Sequence, residues 1–175
     1  MKKLLLILLL PVFAQSQTLE FKRYFTIEPQ VVEVDSTSAD IIYSRLKNWV
    51  ITTYNDPRKV IVVDTPKQIR IRPIAECFMA RKMLGVVNCY DFYYQITLDI
   101  KDNKYRFTFD LEKVSAGGSD LTSTTNNWIW KKKNGSLRTN FEAKQLRSSS
   151  NISLNKYFNS IKTAALNDNS NNDNW

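Results

Sequence analysis

The longest regular alternation in the chain lies between residues 90 and 111. Tyr90, Phe92, Tyr94, Ile96, Leu98 and Ile100 share one face of an extended segment, and Asp91, Gln95, Thr97 and Asp99 share the other. Period-two alternation of this length predicts a long, half-buried strand. Asp102-Asn103 then offers a two-residue turn, after which Tyr105, Phe107, Phe109 and Leu111 resume the pattern. A turn centred there sets Leu98 opposite Phe107 and Ile96 opposite Phe109 on the apolar face. The same register sets Asp99 opposite Arg106 and Thr97 opposite Thr108 on the polar face, so a single pairing satisfies both sides of the hairpin.

Upstream the period changes. Phe21, Phe25, Ile27 and Pro29, followed by Val31-Val32-Glu33-Val34, predict one or two strands at a sheet edge. Asp35-Ser36-Thr37-Ser38 supplies N-cap chemistry, with Asp40 placed for the first helical turn. Ala39, Ile42, Leu46, Trp49 or Val50, and Thr53 recur at three- and four-residue spacing. This predicts an amphipathic helix that ends near Tyr54, with Trp49 as a core anchor. Residues 59–64 are β-branched enough for a central strand. In residues 68–72, Ile69 and Ile71 face one way and Arg70 and Arg72 the other. Pro73 interrupts that strand, which resumes through Phe78, and residues 81–88, with Gly85, read as a turn.

Downstream, residues 115–127 are rich in Gly, Ser, Thr and Asn and predict a loop. Residues 128–139 predict a small hairpin on a type I′ turn at Asn134-Gly135. Ser148-Ser149-Ser150-Asn151 reads as a flexible stretch and cap. Leu154, Phe158, Ile161 and Ala165 then form the stripe of a closing helix over 151–166, and the Asn/Asp-rich residues 167–175 read as a disordered tail. The organisation predicted is a core over 17–114, a loop and basic hairpin inserted at 115–150, and a helix of the same domain at 151–166.

Composition narrows the chemistry. With 175 residues, 43% of them apolar, the chain can bury one sizeable core. It contains no histidine, which removes Ser-His and Cys-His catalysis, His-ligated zinc and histidine pH sensing. Met1-Lys2-Lys3, the apolar run 4–10, and the small residues Ala14 and Ser16 read as a secretory signal peptide over 1–16. No later stretch approaches the ~20 apolar residues of a membrane-spanning helix. A soluble periplasmic or secreted protein is therefore expected, without a transmembrane anchor. No cysteine follows the apolar run, so no lipid anchor is expected there.

The formal charge of +8 is unevenly spread. Lys131, Lys132, Lys133, Arg138, Lys144 and Arg147 stand against Glu142 alone within residues 128–147, giving that segment most of the excess. The two cysteines, Cys77 and Cys89, fit a disulfide in an oxidising compartment, or equally two small buried apolar side chains.

The succession is strand, helix, antiparallel strands, closing helix. Together with the segments IIYSRLKNWV, KVIVVDTPKQIRIRP and YYQITLDIKDNKYRFTF, it resembles a family of exported Bacteroidota proteins, domain of unknown function 4468. The resemblance covers about residues 25–114. Its most specific part is the helix with Trp49 followed by Ile100-Lys101-Asp102 and Tyr105-Arg106. Where the family often has glycines after the second strand, this chain has Arg72-Pro73, and Asn103 stands where glycine is common in the turn. The resemblance implies an α+β, TBP-like fold: a curved antiparallel sheet of about five strands with two helices on one face. It assigns no catalytic or binding residue, and the fold label implies no nucleic-acid partner for an exported protein.

Three functional readings follow. The first is a non-enzymatic envelope domain that binds a partner protein or envelope component, with no cofactor and no metal. The second is an anionic-ligand binder for a glycan, lipopolysaccharide or other polyanion. It would act through Trp128, Trp130, Lys131, Lys132, Lys133 and Arg138, because aromatics beside cations suit sugar rings or bases next to phosphate or sulfate. Its competitor is that both tryptophans pack on the domain while the lysines keep the hairpin soluble. The third is a hydrolase using carboxylates such as Asp99, Asp110 and Glu112, which would need two acids across a cleft. The competing account is a solvated sheet face carrying charge pairs.

Overall fold

In the computed structural model, residues 18–131, 134 and 136–167 are described. A 3-10 turn at Arg23–Phe25 leads to strand β1 (Gln30–Glu33), helix α1 (Ala39–Thr53), a single helical turn α2 (Pro57–Val60) and strand β2 (Ile61–Thr65). Strands β3 (Gln68–Ile71), β4 (Ile74–Met83), β5 (Val86–Lys101), β6 (Lys104–Ala116) and β7 (Ser119–Asp120) follow. Helices α3 (Thr122–Ile129) and α4 (Phe141–Leu166) complete it. The expected signal peptide at 1–16, residue 17, all but the first residue of the expected tail at 167–175, and Lys132, Lys133 and Gly135 lie outside the described residues.

The strands form one open antiparallel sheet in the order β1-β6-β5-β3-β2, with β7 added beside β6 and β4 beside β5. Strands β3 and β4 behave as one strand broken at Pro73. The first pairs with residues 96–99 of β5 and the second with residues 86–93. Proline has no N–H to give the ladder, and only its carbonyl participates, accepting from the Tyr94 N–H at 3.4 Å.

The β5–β6 hairpin has the register that alternation demands: Leu98 faces Phe107, Ile96 faces Phe109, Asp99 faces Arg106 and Thr97 faces Thr108. Phe92, Tyr94, Ile96, Leu98, Phe107 and Phe109 are buried beneath the helices. Helix α1 contributes Ile42, Leu46, Trp49 and Val50 to that core, and α4 contributes Leu154, Phe158, Ile161 and Ala165. The two helices are tied by the Trp49 indole N–H, which donates to Ser160 Oγ at 2.8 Å. An aromatic cluster fills the space towards β4: Phe78 stacks on Phe92 at 4.5 Å, and Tyr94 stacks on Phe109 at 5.0 Å.

Several expectations need correction. Strand β2 is an edge strand, not a central one. Its alternate residues are exposed, and it is fastened by Asp64, which accepts from Tyr43 Oη at 2.7 Å and pairs with Lys47 at 2.9 Å. The hydrogen bond to Asp64, joined by that to Tyr43, pushes the Lys47 ammonium up to about 12. Thr53 is exposed instead of belonging to the α1 stripe. Ser38 occupies the N-cap of α1 but its side chain makes no capping bond. That duty falls to the β5–β6 turn, where Asp102 Oδ1 accepts from the Ala39 N–H at 2.8 Å.

The expected loop at 115–127 contains a turn at Gly117-Gly118, both at positive φ, then β7 and α3. The expected closing helix starts ten residues early, at Phe141. Its polar middle is not a linker, because Ser149, Ser150, Asn151 and Asn155 each bond a backbone group. Ser149 Oγ accepts from the Ala80 N–H at 2.9 Å, capping the free edge of β4. Asn151 and Asn155 accept from the N–H groups of Phe21 and Leu19, holding the N-terminal segment along the helix.

Candidate functional site

The Trp/Lys segment is only partly the hairpin anticipated. Trp128 and Ile129 end α3, and a lone bridge joins Trp130 to Leu137, with the Lys131 N–H donating to the Ser136 carbonyl at 2.8 Å. Trp130 is buried, its ring edge-on to Phe25 at 5.2 Å. Trp128 is half-buried between Tyr90, at 5.7 Å, and the Arg81 guanidinium, at 5.0 Å. The two indoles therefore do not form a stacking platform for a sugar or base. Lys131 and Arg138 are exposed, and Lys132 and Lys133 lie outside the described residues.

The open face of the sheet carries paired charges. Asp99 accepts from Arg106 Nη2 at 2.7 Å and from Gln68 Nε2 at 2.7 Å, and Arg72 pairs with Glu112 at 3.0 Å. Partial burial opposes ionisation of Asp99. The hydrogen bonds from Gln68 and Arg106 and the charges of Arg106 and Arg70 outweigh it, holding its carboxyl below the ordinary aspartate range. The ring of Tyr93 is covered by Lys113 Nζ, 5.1 Å from its centroid. Surface grooves of about 530 and 370 Å³ each have a single carboxylate among their lining residues, Glu20 and Glu76 respectively. Neither offers the facing pair of acids that a two-carboxylate hydrolase requires.

The feature that sequence reasoning missed is the far end of the β4–β5 hairpin. Residues 81–88 are not a broad turn. Both strands continue to a two-residue turn, Leu84-Gly85, with φ of +50° and +83°. Two positive φ values match a type I′ turn, which suits glycine but strains leucine. Leu84 is 97% exposed, and Met83, Val86 and Val87 around it are exposed too. Behind this tip, Cys77 and Cys89 form a disulfide with Cα atoms 4.6 Å apart, so the bridged alternative is the one realised. Cys77 sits in the β4 bulge at φ +51°, its N–H donating to Asp91 Oδ1 at 2.9 Å. An apolar run around a turn glycine, where polar residues are usual, was the available signal.

Residues 29–112 match the family model described as domain of unknown function (DUF4468) with TBP-like fold. The chain resembles the DUF4468 family. Among solved structures, it is similar to a DUF4468 family protein from Bacteroides ovatus, with a TM-score of 0.60 and 14% identity over 83% of this chain and 89% of that one. It is also similar to a TBP-like protein from Parabacteroides distasonis, with a TM-score of 0.57 and 14% identity over 80% and 92% of the two chains. No curated protein sequence matches it. At this identity the likeness is one of fold.

The DUF4468 match includes the β4–β5 tip and ends before α3, the basic segment and α4. The TBP-like label names a fold and assigns no ligand.

Proposed function

We propose that this chain is an exported, non-enzymatic binding domain of the cell envelope, and that it engages its partner or envelope component through the end of the β4–β5 hairpin. The observation that carries this reading is Leu84: a leucine held at positive φ with almost its whole surface in solvent. Asparagine or glycine there would relieve the backbone and remove the apolar exposure. A strained, exposed apolar residue on a disulfide-stapled hairpin is expensive for the fold, and intermolecular contact gives it a purpose. The leader-like residues 1–16 and the disulfide support an oxidising compartment outside the cytoplasm. Among the described residues, no helix is long and apolar enough to cross a membrane.

The test is site-specific photocrosslinking in intact cells. A crosslinker replacing Leu84 is expected to give envelope adducts, while one replacing Thr108, on the open sheet face, gives none. Adducts at Thr108 with none at Leu84 would move the binding surface to the sheet.

A further inference from the structure

We infer that the ligand of this hairpin end is an anionic lipid surface, into which residues 83–87 insert shallowly. The inference rests on the reading that the β4–β5 tip is the contact element, and adds the chemistry of what it contacts.

The first argument is the distribution of apolar side chains around the tip. The pairings Met83↔Val86 and Lys82↔Val87 place the first pair on the face that continues from Met79 and Tyr90, and the second pair on the opposite face. Apolar groups thus project from both faces, Met83 (44% exposed) and Val86 (62%) on one and Val87 (58%) on the other, with Leu84 at the apex. A protein partner laid against one face of a hairpin covers one such set. A hairpin end pushed into a lipid interface covers all of them.

The second argument is charge. Exposed Lys82 stands immediately behind the apolar tip, and Arg81, its side chain only 18% exposed, fastens both ends of the segment between Trp128 and Glu142. Trp128, just before that segment, lies under the Arg81 guanidinium at 5.0 Å, and Glu142, just after it, approaches Arg81 at 3.9 Å. The link between these anchors carries exposed Lys131 and Arg138. The Lys82 N–H donates to Gln145 Oε1 at 3.0 Å, which brings the first turns of α4, with Lys144 and Arg147, to the same hairpin. Glu142 and, in the groove lined by Lys144 and Arg147, Glu20 are acidic groups of this cluster. Phe141, at the start of α4, adds a further apolar side chain, 70% exposed. Apolar groups at the apex with cations behind them match the depth profile of an anionic bilayer, which is apolar inside and negatively charged at its headgroups. The described tip is too short to span a bilayer, so the association is peripheral and salt-sensitive.

The experiment is flotation of the disulfide-bonded chain, lacking residues 1–16, with vesicles of phosphatidylcholine alone or with a minority of phosphatidylglycerol. Binding is expected to the anionic vesicles only, to weaken with added salt, and to be lost in Leu84→Asp. Lys82→Ala is expected to weaken it about fivefold, the usual effect of one cation near an anionic surface. Near-ultraviolet circular dichroism checks that each variant keeps its packed core. Failure to float with anionic vesicles, or flotation unaffected by Leu84→Asp, overturns the lipid assignment. If flotation fails while a crosslinker at Leu84 captures an envelope protein, the tip remains the contact element and only the lipid is wrong. If both fail, the contact reading falls with it.

Discussion

The two long hairpins that share β5 end in opposite ways. At the β5–β6 end, Asp102-Asn103 is absorbed into the fold. Asp102 caps α1, Asn103 Oδ1 accepts from the Thr37 N–H at 3.0 Å, and the Asn103 backbone exchanges hydrogen bonds with Thr37 and Val34. Its one residue at positive φ is asparagine, which tolerates that region. At the β4–β5 end, both turn residues are at positive φ: Gly85 stands where Asn103 does, and the residue before it, matching Asp102, is a leucine, exposed and strained. One strand therefore carries a turn selected for folding at one end and a turn that opposes folding at the other. A local choice that disagrees with the fold is where function is expected to reside.

Four outcomes would break or sharpen this contrast. The largest effect is expected from replacing Cys77 and Cys89 together by serine. The bridge closes a short loop whose loss is expected to cost about 3 kcal/mol, read as a lower urea midpoint. If the tip needs the staple for its task, binding falls as well. Next, Asp102→Ala removes the borrowed cap of α1 and is expected to cost about 1 kcal/mol, with hydrogen exchange accelerated at the start of α1. Ser38→Ala, at the nominal cap, is expected to change little.

A smaller effect of opposite sign is expected from Leu84→Asn, which stabilises the fold by up to about 1 kcal/mol by relieving positive φ. The smallest concerns pH. Because the folded pKa of Asp99 is depressed, its pairing stabilises the protein above the ordinary aspartate value of about 3.9. That contribution is lost as pH falls through the lower folded value. Asp99→Asn is thus expected to cost under about 1 kcal/mol at neutral pH, since Arg106 is largely solvated. The difference from the parent chain should vanish in strong acid, where urea midpoints of the two should coincide.

The contrast also explains what the sequence made legible. The β5–β6 register could be read to the residue because both faces alternate, so that any slip would bury Asp99 or expose Leu98. Helix α1 was legible from its buried stripe, although its cap was not, because the capping oxygen comes from Asp102, far along the chain. The first turns of α4 were hidden by Ser148-Ser149-Ser150-Asn151. Those residues look like a linker until Ser149 and Asn151 are seen to hydrogen-bond the backbone of β4 and the N-terminal segment. Helix α3 was hidden for a similar reason. Thr125 Oγ1 donates to the Leu121 carbonyl at 2.9 Å, and Asn126 Oδ1 accepts from the Tyr24 N–H at 2.9 Å, so its two buried polar residues are engaged rather than solvated.

The candidate site was the least legible part. Counting charges drew attention to residues 128–138, where Trp130 proved to be core. The tip was passed over because a glycine inside 81–88 reads as a turn, and turns are assumed to be polar.

The central claim is that Leu84 serves contact at the expense of stability, and Leu84→Asn tests it most directly when stability and binding are measured on the same preparation. The account predicts a higher urea midpoint together with loss of flotation on phosphatidylglycerol-containing vesicles. A variant that floats as well as the parent chain, or that is less stable than it, would contradict the account.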